Sequence, residues 1–337
     1  MTACGYLWGL PAPTRRVPAA ISAIAEWCRD RRIGRPMLVG GRSLGTPPAG
    51  LDVVHGLEAE GLAVWAFDRA TGPSVATVAE AVAGYGFEGC DAVVAIGGGV
   101  ALDVAKAAAL MVAQRSPYRA LADRPGAGGD PVVASGIPAL LMVPATPAAA
   151  LAVGAVAWIA DETGAARPVR HPALRPAEAI LAGDRIDAVP DDAFARSAAV
   201  AALIAVDAGA AEVDIAGLLA SGGDRVAAME RALRLSAVVE AAGGPRRRLA
   251  LTAAVAGGAD FAGTLAALTP TADRLDAARA RLSGTGAAEA TLDARTVRAA
   301  REACGPADAA ELDRVLNGIG LDFNEAPRRR GRRGRTA

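Results

Sequence analysis

The chain has 337 residues, with 36 acidic and 36 basic side chains, so its formal net charge is zero. Hydrophobic residues make up 52% and aromatic residues only 4%, which favours a core of small aliphatic side chains and closely packed helices. The length favours two domains.

The distribution of charge and apolar residues excludes several classes of protein. The arginines of the tail at residues 328–337 carry six positive charges, so the preceding body is acidic, which argues against a nucleic-acid-binding surface. No apolar stretch is long enough for a convincing membrane span. The amino terminus lacks the pattern of a secretory signal, and the four cysteines have no C-x-x-C spacing. We therefore expect a cytoplasmic protein with free buried thiols.

Helix-like and strand-like segments alternate through the first half of the chain. Helical periodicity covers residues 18–31, 51–60, 74–86 and 101–114. Short apolar runs predict strands at residues 36–40, 62–67, 91–96, 138–143, 154–160 and 178–182. Continuous apolar strands that alternate with helices are typical of a parallel sheet covered on both faces, which binds its ligands at the carboxyl ends of the strands.

The pattern changes after Pro190. Residues 191–326 are rich in alanine, arginine, leucine and glutamate with helical periodicity, and strand signals nearly vanish. We predict an α/β, Rossmann-like, nucleotide-cofactor-binding domain over residues 1–186, an all-α domain over 187–327, and a basic disordered tail over 328–337.

A glycine triplet follows the strand predicted at residues 91–96 and opens a helix. Gly97, Gly98 and Gly99 would let the backbone approach a phosphate, and the helix terminus would supply free N–H groups. A plain tight turn would give the same triplet, so the glycines alone leave both interpretations open.

The surrounding residues resemble the signature of the iron-containing alcohol dehydrogenase family, which has a dehydroquinate-synthase-like fold. In that family a G-G-G-S segment leads to D-x-A-K. The triplet, Asp103, Ala105 and Lys106 match it, whereas Val100 replaces the serine. Lys106 is the only lysine of the chain. The resemblance implies that this loop holds the pyrophosphate of a nicotinamide cofactor.

Three later segments resemble the same family in the same order. Residues 144–150 are similar to the P-T-T-x-G-T-G-S-E loop, of which Pro144 and Thr146 survive. Residues 159–164 resemble the I-T-D-E-x-G hairpin, which places Arg167 near the family's ribose-binding lysine. Residues 179–190 resemble the segment that leads into the helical domain.

The turn at Gly41 bears on the choice between NAD and NADP. Family members that use NAD often carry an acidic residue here, which repels a 2′-phosphate. This chain has no carboxylate at the turn, and Arg42 and Ser43 could bind the phosphate, so we favour NADP. The alternative is that Arg42 only faces water.

The resemblance fails at the metal site. The family binds its metal through one aspartate and three histidines, and the aspartate and the first histidine lie four residues apart on a helix. The matching positions are Val200 and Ile204, which cannot coordinate a metal. The chain has only two histidines, His55 and His171, so a three-histidine site is impossible. We therefore expect no metal.

Without a metal, a protein group must stabilise the charge that develops on the substrate oxygen. We name three candidates, each with a structural alternative. His171 lies in a predicted loop, Asp207 matches the family's helix glutamate, and Arg196 comes one turn before Val200. A loop histidine, an ion pair and an exposed arginine are the respective alternatives.

The sequence thus predicts a metal-independent NAD(P)-dependent oxidoreductase. It would reduce an aldehyde or ketone, or oxidise the alcohol, in the cleft between the two domains. The alternative is a non-redox scaffold or pseudoenzyme with residual cofactor binding, because few hydroxyl groups remain at residues 144–150. The resemblance also implies a possible homodimer, and no nucleic acid or membrane partner is expected.

Overall fold

A computed structural model describes residues 5–7, 10–41, 44, 51–70, 72–122, 131–160, 166–208, 210, 218 and 224–241. The predicted tail and most of the predicted helical domain lie outside these residues. Within the described part, no helix is both long enough and apolar enough to cross a membrane.

The four helices predicted at residues 18–31, 51–60, 74–86 and 101–114 begin and end within two residues of those bounds, whereas a short helix forms in the segment predicted as a loop at residues 144–150. The helices are α1 (Ala20–Asp30), α2 (Leu51–Ala59), α3 (Val75–Phe87), α4 (Gly99–Val112), α5 (Tyr118–Leu121), α6 (Pro147–Leu151), α7 (Gly183–Asp187), α8 (Asp191–Asp207) and α9 (Arg225–Ala241), with a 3₁₀ helix at Pro172–Leu174. The strands are β1 (Gly5–Leu7), β2 (Thr14–Val17), β3 (Pro36–Val39), β4 (Trp65–Phe67), β5 (Ala92–Gly97), β6 (Ala139–Pro144), β7 (Val156–Ala160), β8 (Ala166–Arg170) and β9 (Glu178–Ala182).

One sheet organises the α/β region. Its order is β1-β2-β9-β6-β5-β3-β4, and all neighbours are parallel except β1, which pairs antiparallel with β2. This confirms the predicted parallel sheet. The chain runs from β3 outward to β4 and then crosses back to β5 on the other side of β3. The sheet therefore has a topological switch point between β3 and β5, which is where ligands of such sheets bind.

Helices cover both faces of the sheet. On one face, apolar residues of α1 and α2 pack against Leu38 and Val94, while Met37 and Val93 point to the opposite face and the helix α4. Every residue of α4 from Ala101 to Leu110 is buried. The core thus holds α4 rigidly and fixes the direction in which its amino terminus points.

One strand differs from its expected place, and another was not predicted. The strand predicted at residues 154–160 is β7, which pairs antiparallel with β8 as a separate two-stranded ribbon. The sequence did not predict β2, because Arg15 and Arg16 interrupt its apolar pattern. Arg15 is accommodated because it hydrogen-bonds to Glu178 on the neighbouring β9 and to Glu26.

Beyond β9, the described elements are all helical, as expected. Helices α8 and α9 contact each other and both contact α6. Their apolar residues, such as Val200, Met229 and Leu233, join the same core cluster as α4. The part of the predicted helical domain that is described therefore packs directly on the α/β region.

Candidate cofactor-binding site

Two glycine turns flank the switch point at the carboxyl edge of the sheet. Gly40 and Gly41 follow β3, and Gly97 ends β5, which is the parallel neighbour of β3. The next strand, β6, ends at Pro144, which is the register partner of Gly97. The segments that the sequence assigned to the cofactor thus lie side by side at one edge.

The glycines of the second turn have different physical roles. Gly97 has φ +115°, a conformation that L side chains rarely adopt, so glycine is required there by the backbone. Gly98 has φ −82° and ψ 169°, which any residue adopts. A Cβ atom added at Gly97, Gly98 or Gly41 would meet nothing within 4 Å. Neighbouring protein atoms therefore do not require glycine at Gly98, and the open space above it suits the close approach of a ligand.

The amino terminus of α4 adds a favourable electrostatic field to this space. Gly98 is its N-cap and supplies no side-chain cap, so the first N–H groups of this 14-residue helix point towards the open space. These groups and the helix dipole favour an anion. Val100, which takes the place of the family serine, is half-buried and offers no hydroxyl group.

Thr146 lies beside the glycine turn. The N–H of Ala145 donates to the carbonyl of Gly97 at 3.1 Å, which ties the two loops together. Thr146 precedes α6 but makes no capping hydrogen bond. The Oγ of Ser197, from α8, instead accepts from the N–H of Ala148 at 3.0 Å. The half-buried Thr146 hydroxyl is therefore not engaged by its own helix.

Asp103 and Lys106 lie beneath the glycine turn, inside the protein. Their exposed fractions are 2% and zero, and Lys106 Nζ lies 3.3 Å from Asp103 Oδ1. Lys106 also donates to the carbonyls of Ala152, at 2.7 Å, and Val156. The structure thus gives the side chains of both residues partners inside the core, although the resemblance implied contact with the cofactor.

Arg167 lies at the far end of the β7–β8 ribbon. It is the register partner of Ile159, and the adjacent Ala160 donates its N–H to the carbonyl of Pro73 in the loop that follows β4. The ribbon therefore brings the backbone of Arg167 to the carboxyl edge of the sheet. Arg167 is half-buried.

The expected phosphate-binding residues Arg42 and Ser43 lie outside the described residues. Sequence analysis missed a carboxylate close to the same turn. Asp68 directly follows β4, and residues before and after it hydrogen-bond to Gly40. The N–H of Gly40 donates to the carbonyl of Phe67, and the carbonyl of Gly40 accepts from the N–H of Ala70. Asp68 is half-buried. Its position at the end of the apolar run over residues 62–67 was the available signal.

His171 has a capping role. Its Nδ1 accepts from the N–H of Ala173 at 3.1 Å at the start of the 3₁₀ helix, and its own N–H donates to Ala155. This places it at the end of the ribbon opposite to Arg167, at the level of Lys106. The rise along α4 from Gly99 to Lys106 is about 10 Å. The structure does not bring His171 to the glycine turn, and its catalytic role stays a prediction.

The remaining candidates lie on α8. The backbones of Arg196 and Asp207 belong to this helix, but their side chains lie outside the described part of the chain. Between them, Val200 and Ile204 are 5% and 1% exposed and belong to the main core cluster. Apolar packing thus occupies the two positions that correspond to family metal ligands.

The residues present do not fit the family's metal. Val200 and Ile204 have no donor atoms, His55 is exposed on α2, and Nδ1 of His171 already accepts a hydrogen bond. No group of three or more His, Cys, Asp or Glu residues lies within the described ranges in a position to hold a metal ion. With two histidines in the whole sequence, the chain cannot supply the family's three-histidine ligand set.

A parallel sheet with open glycine turns on both sides of its switch point defines a nucleotide-binding α/β fold. The family model described as iron-containing alcohol dehydrogenase matches residues 11–182, just over half of the chain. The chain belongs to the iron-containing alcohol dehydrogenase family, a family of oxidoreductases that act on CH–OH groups.

Individual relatives are more distant. A 4-hydroxybutyrate dehydrogenase of Cupriavidus necator is 34% identical over 96 residues, which span 27% of this chain and 24% of that relative. The structure of an NADH-dependent butanol dehydrogenase from Thermotoga maritima matches with 14% identity and a TM-score of 0.64, covering 95% of this chain and 94% of that one. A 1,3-propanediol oxidoreductase matches with 18% identity and a TM-score of 0.64, covering 95% of each chain. At these identities the structural matches show the fold alone.

Proposed function

We propose that this chain is an NAD(P)-dependent oxidoreductase that interconverts an alcohol and an aldehyde or ketone without a bound metal. One observation carries the proposal: the open space above Gly98 lies at the free amino terminus of α4 and at the switch point of a parallel sheet. A Cβ atom placed at Gly98 would meet no protein atom within 4 Å, so an anionic group can approach the backbone closely there.

The cofactor would extend in two directions from the open space above Gly98. Its pyrophosphate would lie against Gly97, Gly98 and Gly99, and the adenosine half would pass over Gly41 at the end of β3. The nicotinamide half would lie on the side of Thr146, where α6 and α8 meet. Arg167 would contact a ribose from the ribbon.

The reaction needs only the cofactor as its redox partner. In oxidation, a hydride leaves the carbinol carbon for the nicotinamide ring, and the hydroxyl proton passes to a base or to water, which leaves a carbonyl. Reduction reverses both transfers. The charge on the substrate oxygen must be stabilised by a protein donor. Arg196 is proposed as that donor because its guanidinium stays protonated, and water would receive the hydroxyl proton. Asp207 lies about 16 Å further along α8, so it is proposed as an alternative to Arg196 and not as its partner. His171 is the weaker candidate.

We propose a modest preference for NADP. The absence of a carboxylate at Gly41 and the presence of Arg42 and Ser43 favour a 2′-phosphate. Asp68 would weaken this preference, because its backbone lies at the same edge, between the residues Phe67 and Ala70 that hydrogen-bond to Gly40, and a carboxylate there would repel a 2′-phosphate. Both cofactors are therefore expected to bind.

The alternative is a non-redox scaffold that has kept cofactor binding. It is favoured by the loop at residues 144–150, where Pro147 and the alanines form α6 and pack into the core instead of presenting hydroxyl groups. Binding of a nucleotide without any turnover would distinguish this alternative from the oxidoreductase.

The test is a turnover assay on protein treated with a chelator. 4-Hydroxybutyrate is the first substrate to try, because it is the one named for the Cupriavidus necator relative. Simple primary alcohols and their aldehydes follow. Formation of NADPH or NADH that is insensitive to chelator supports the proposal, whereas activity that appears only after iron or zinc is added contradicts it. The homodimer and the cytoplasmic location stay predictions.

A further inference from the structure

The segment over residues 152–156, which we name the 152–156 turn, joins α6 to β7. It is held from two directions by charged side chains that are distant in sequence. Lys106 reaches it from α4, and Glu240 reaches it from α9.

Lys106 satisfies the carbonyl groups of the turn. Its fully buried ammonium donates to Ala152 at 2.7 Å and to Val156, and lies 3.4 Å from the carbonyl of Gly154. Asp103, one turn earlier on α4, balances its charge. A buried ammonium with these partners fixes the turn to α4, since its withdrawal would leave several polar groups unsatisfied.

Glu240 accepts a hydrogen bond from a backbone N–H group of the same turn, whereas Lys106 donates to its carbonyl groups. Its Oε2 accepts from the N–H of Ala155 at 2.9 Å, and its Oε1 accepts from the Arg175 guanidinium. A Cβ atom at Gly154 would lie 2.9 Å from Glu240 Oε2, so a larger residue there would make the carboxylate shift. Burial alone would raise the pKa of Glu240, but hydrogen bonds from Arg175 and Ala155 and the charge of Lys106 lower it below its usual value.

The turn is connected to the proposed cofactor site through α6. It follows α6, which has five residues, and α6 follows Thr146. A helix of this length has little stability of its own. Its start is held by the Ala145–Gly97 hydrogen bond and by Ser197, and its end is held by the 152–156 turn.

We propose that Lys106 and Glu240 are positioning residues, which clamp the 152–156 turn so that Thr146 stays in register with the Gly97 loop. This inference rests on the proposed function. It gives the single lysine of the chain a role in the site without contact with the cofactor. It also makes cofactor affinity depend on Glu240, which belongs to the predicted helical domain.

The experiment compares Glu240→Gln with Glu230→Gln. Glu230 is the matched control, since it lies on the same helix but pairs with Arg16 at 3.6 Å and does not contact the turn. Lys106 is the only lysine, so acylation of the folded protein by an amine-reactive ester, located by peptide mass spectrometry, measures the opening of the clamp at one site. Circular dichroism checks that both variants fold.

We expect Lys106 acylation about ten-fold faster in Glu240→Gln than in Glu230→Gln, and a Kd for NADPH about ten-fold higher, which matches the loss of one charge-assisted hydrogen bond. The KM for cofactor should rise while kcat changes little. Arg175→Gln, which removes a half-exposed partner of Glu240, should give a smaller change of the same kind.

Equal acylation in the two glutamate variants overturns the clamp. Faster acylation with unchanged affinity for NADPH overturns the positioning role. A wild-type protein that binds neither nucleotide overturns the proposed function and the positioning role together, and the acylation contrast then still shows whether the clamp itself exists.

Discussion

The glycine turn after β5 and the face of α8 that carries Val200 and Ile204 differ in what their function requires. We propose that the turn binds through backbone groups, and its shape is set by the φ of Gly97 and by the buried helix α4. The α8 face would bind a metal through side chains alone. Both regions keep their secondary structure, yet only the first keeps the groups that its chemistry needs.

This difference shows that the two halves of a family site can separate. Replacing two ligands on a buried helix with valine and isoleucine lets the helix pack more apolar surface, which favours the fold. Replacing Gly97 would instead strain the backbone, and replacing Gly98 would fill the open space above it. We therefore propose that this chain has kept cofactor binding while losing the family's metal ligands.

The largest expected effect is a loss of stability when metal-binding side chains are restored on α8. The double variant Val200→Asp/Ile204→His restores two donor atoms on α8. Because both positions are buried in the core and the chain lacks further histidines, we expect a loss of stability of about 4 kcal/mol and no tight metal binding. Urea unfolding with and without Fe²⁺ or Zn²⁺ measures this. Stabilisation by metal would show that a site survives here.

Lys106→Met tests whether the lysine of the glycine-turn motif, two turns further along α4, belongs to the core or to the ligand site. Its removal leaves Asp103 buried without its cation, so we expect a loss of about 3 kcal/mol in the free energy of unfolding. Arg69→Gln, which removes an exposed pair with Glu80, should cost less than about 1 kcal/mol. A stable Lys106→Met protein with lost cofactor affinity would instead indicate direct contact with the cofactor.

Gly98→Leu tests whether the backbone of the glycine turn binds the nucleotide. The added side chain has room, so stability should fall by only about 1 kcal/mol, the cost of leucine at an N-cap. The leucine side chain would fill the open space above Gly98. We expect the Kd for either nucleotide to rise at least about 30-fold, which corresponds to about 2 kcal/mol of binding free energy. Gly86→Leu, also in open space but on α3, is the control and should leave the Kd unchanged.

Asp68→Asn should have the smallest effect. Removing the carboxylate beside Gly40 relieves its repulsion of a 2′-phosphate, so the ratio of NADPH to NADH affinity should rise about three- to ten-fold. Competitive titration with both cofactors measures the ratio. A fall in NADH affinity alone would mean that Asp68 binds the 2′-hydroxyl of NAD.

The sequence predicted the parallel sheet and α4 well, because buried strands and an apolar helix carry strong periodic signals. It also predicted the Gly97 loop, since a strand, a glycine triplet and a helix are local in sequence. The place of β2 was not predictable, because the partner that accommodates Arg15 is Glu178, far along the chain.

The sequence also did not predict the contacts of the site that join segments distant along the chain. Lys106 was assigned to the cofactor by its place in a motif, whereas its ammonium contacts carbonyls about 50 residues further along the chain. Glu240 and Asp68 gave no motif at all. Helical or strand periodicity places a side chain on a face, but it does not state which distant loop packs against that face.

The most direct test of the account is a fluorescence titration of chelator-treated, metal-free protein with NADPH and with NADH. The account predicts saturable binding of both nucleotides, tighter for NADPH, and loss of binding in Gly98→Leu. Absence of binding to either nucleotide by a folded wild-type protein would contradict it, and the fold would then serve a purpose other than redox chemistry.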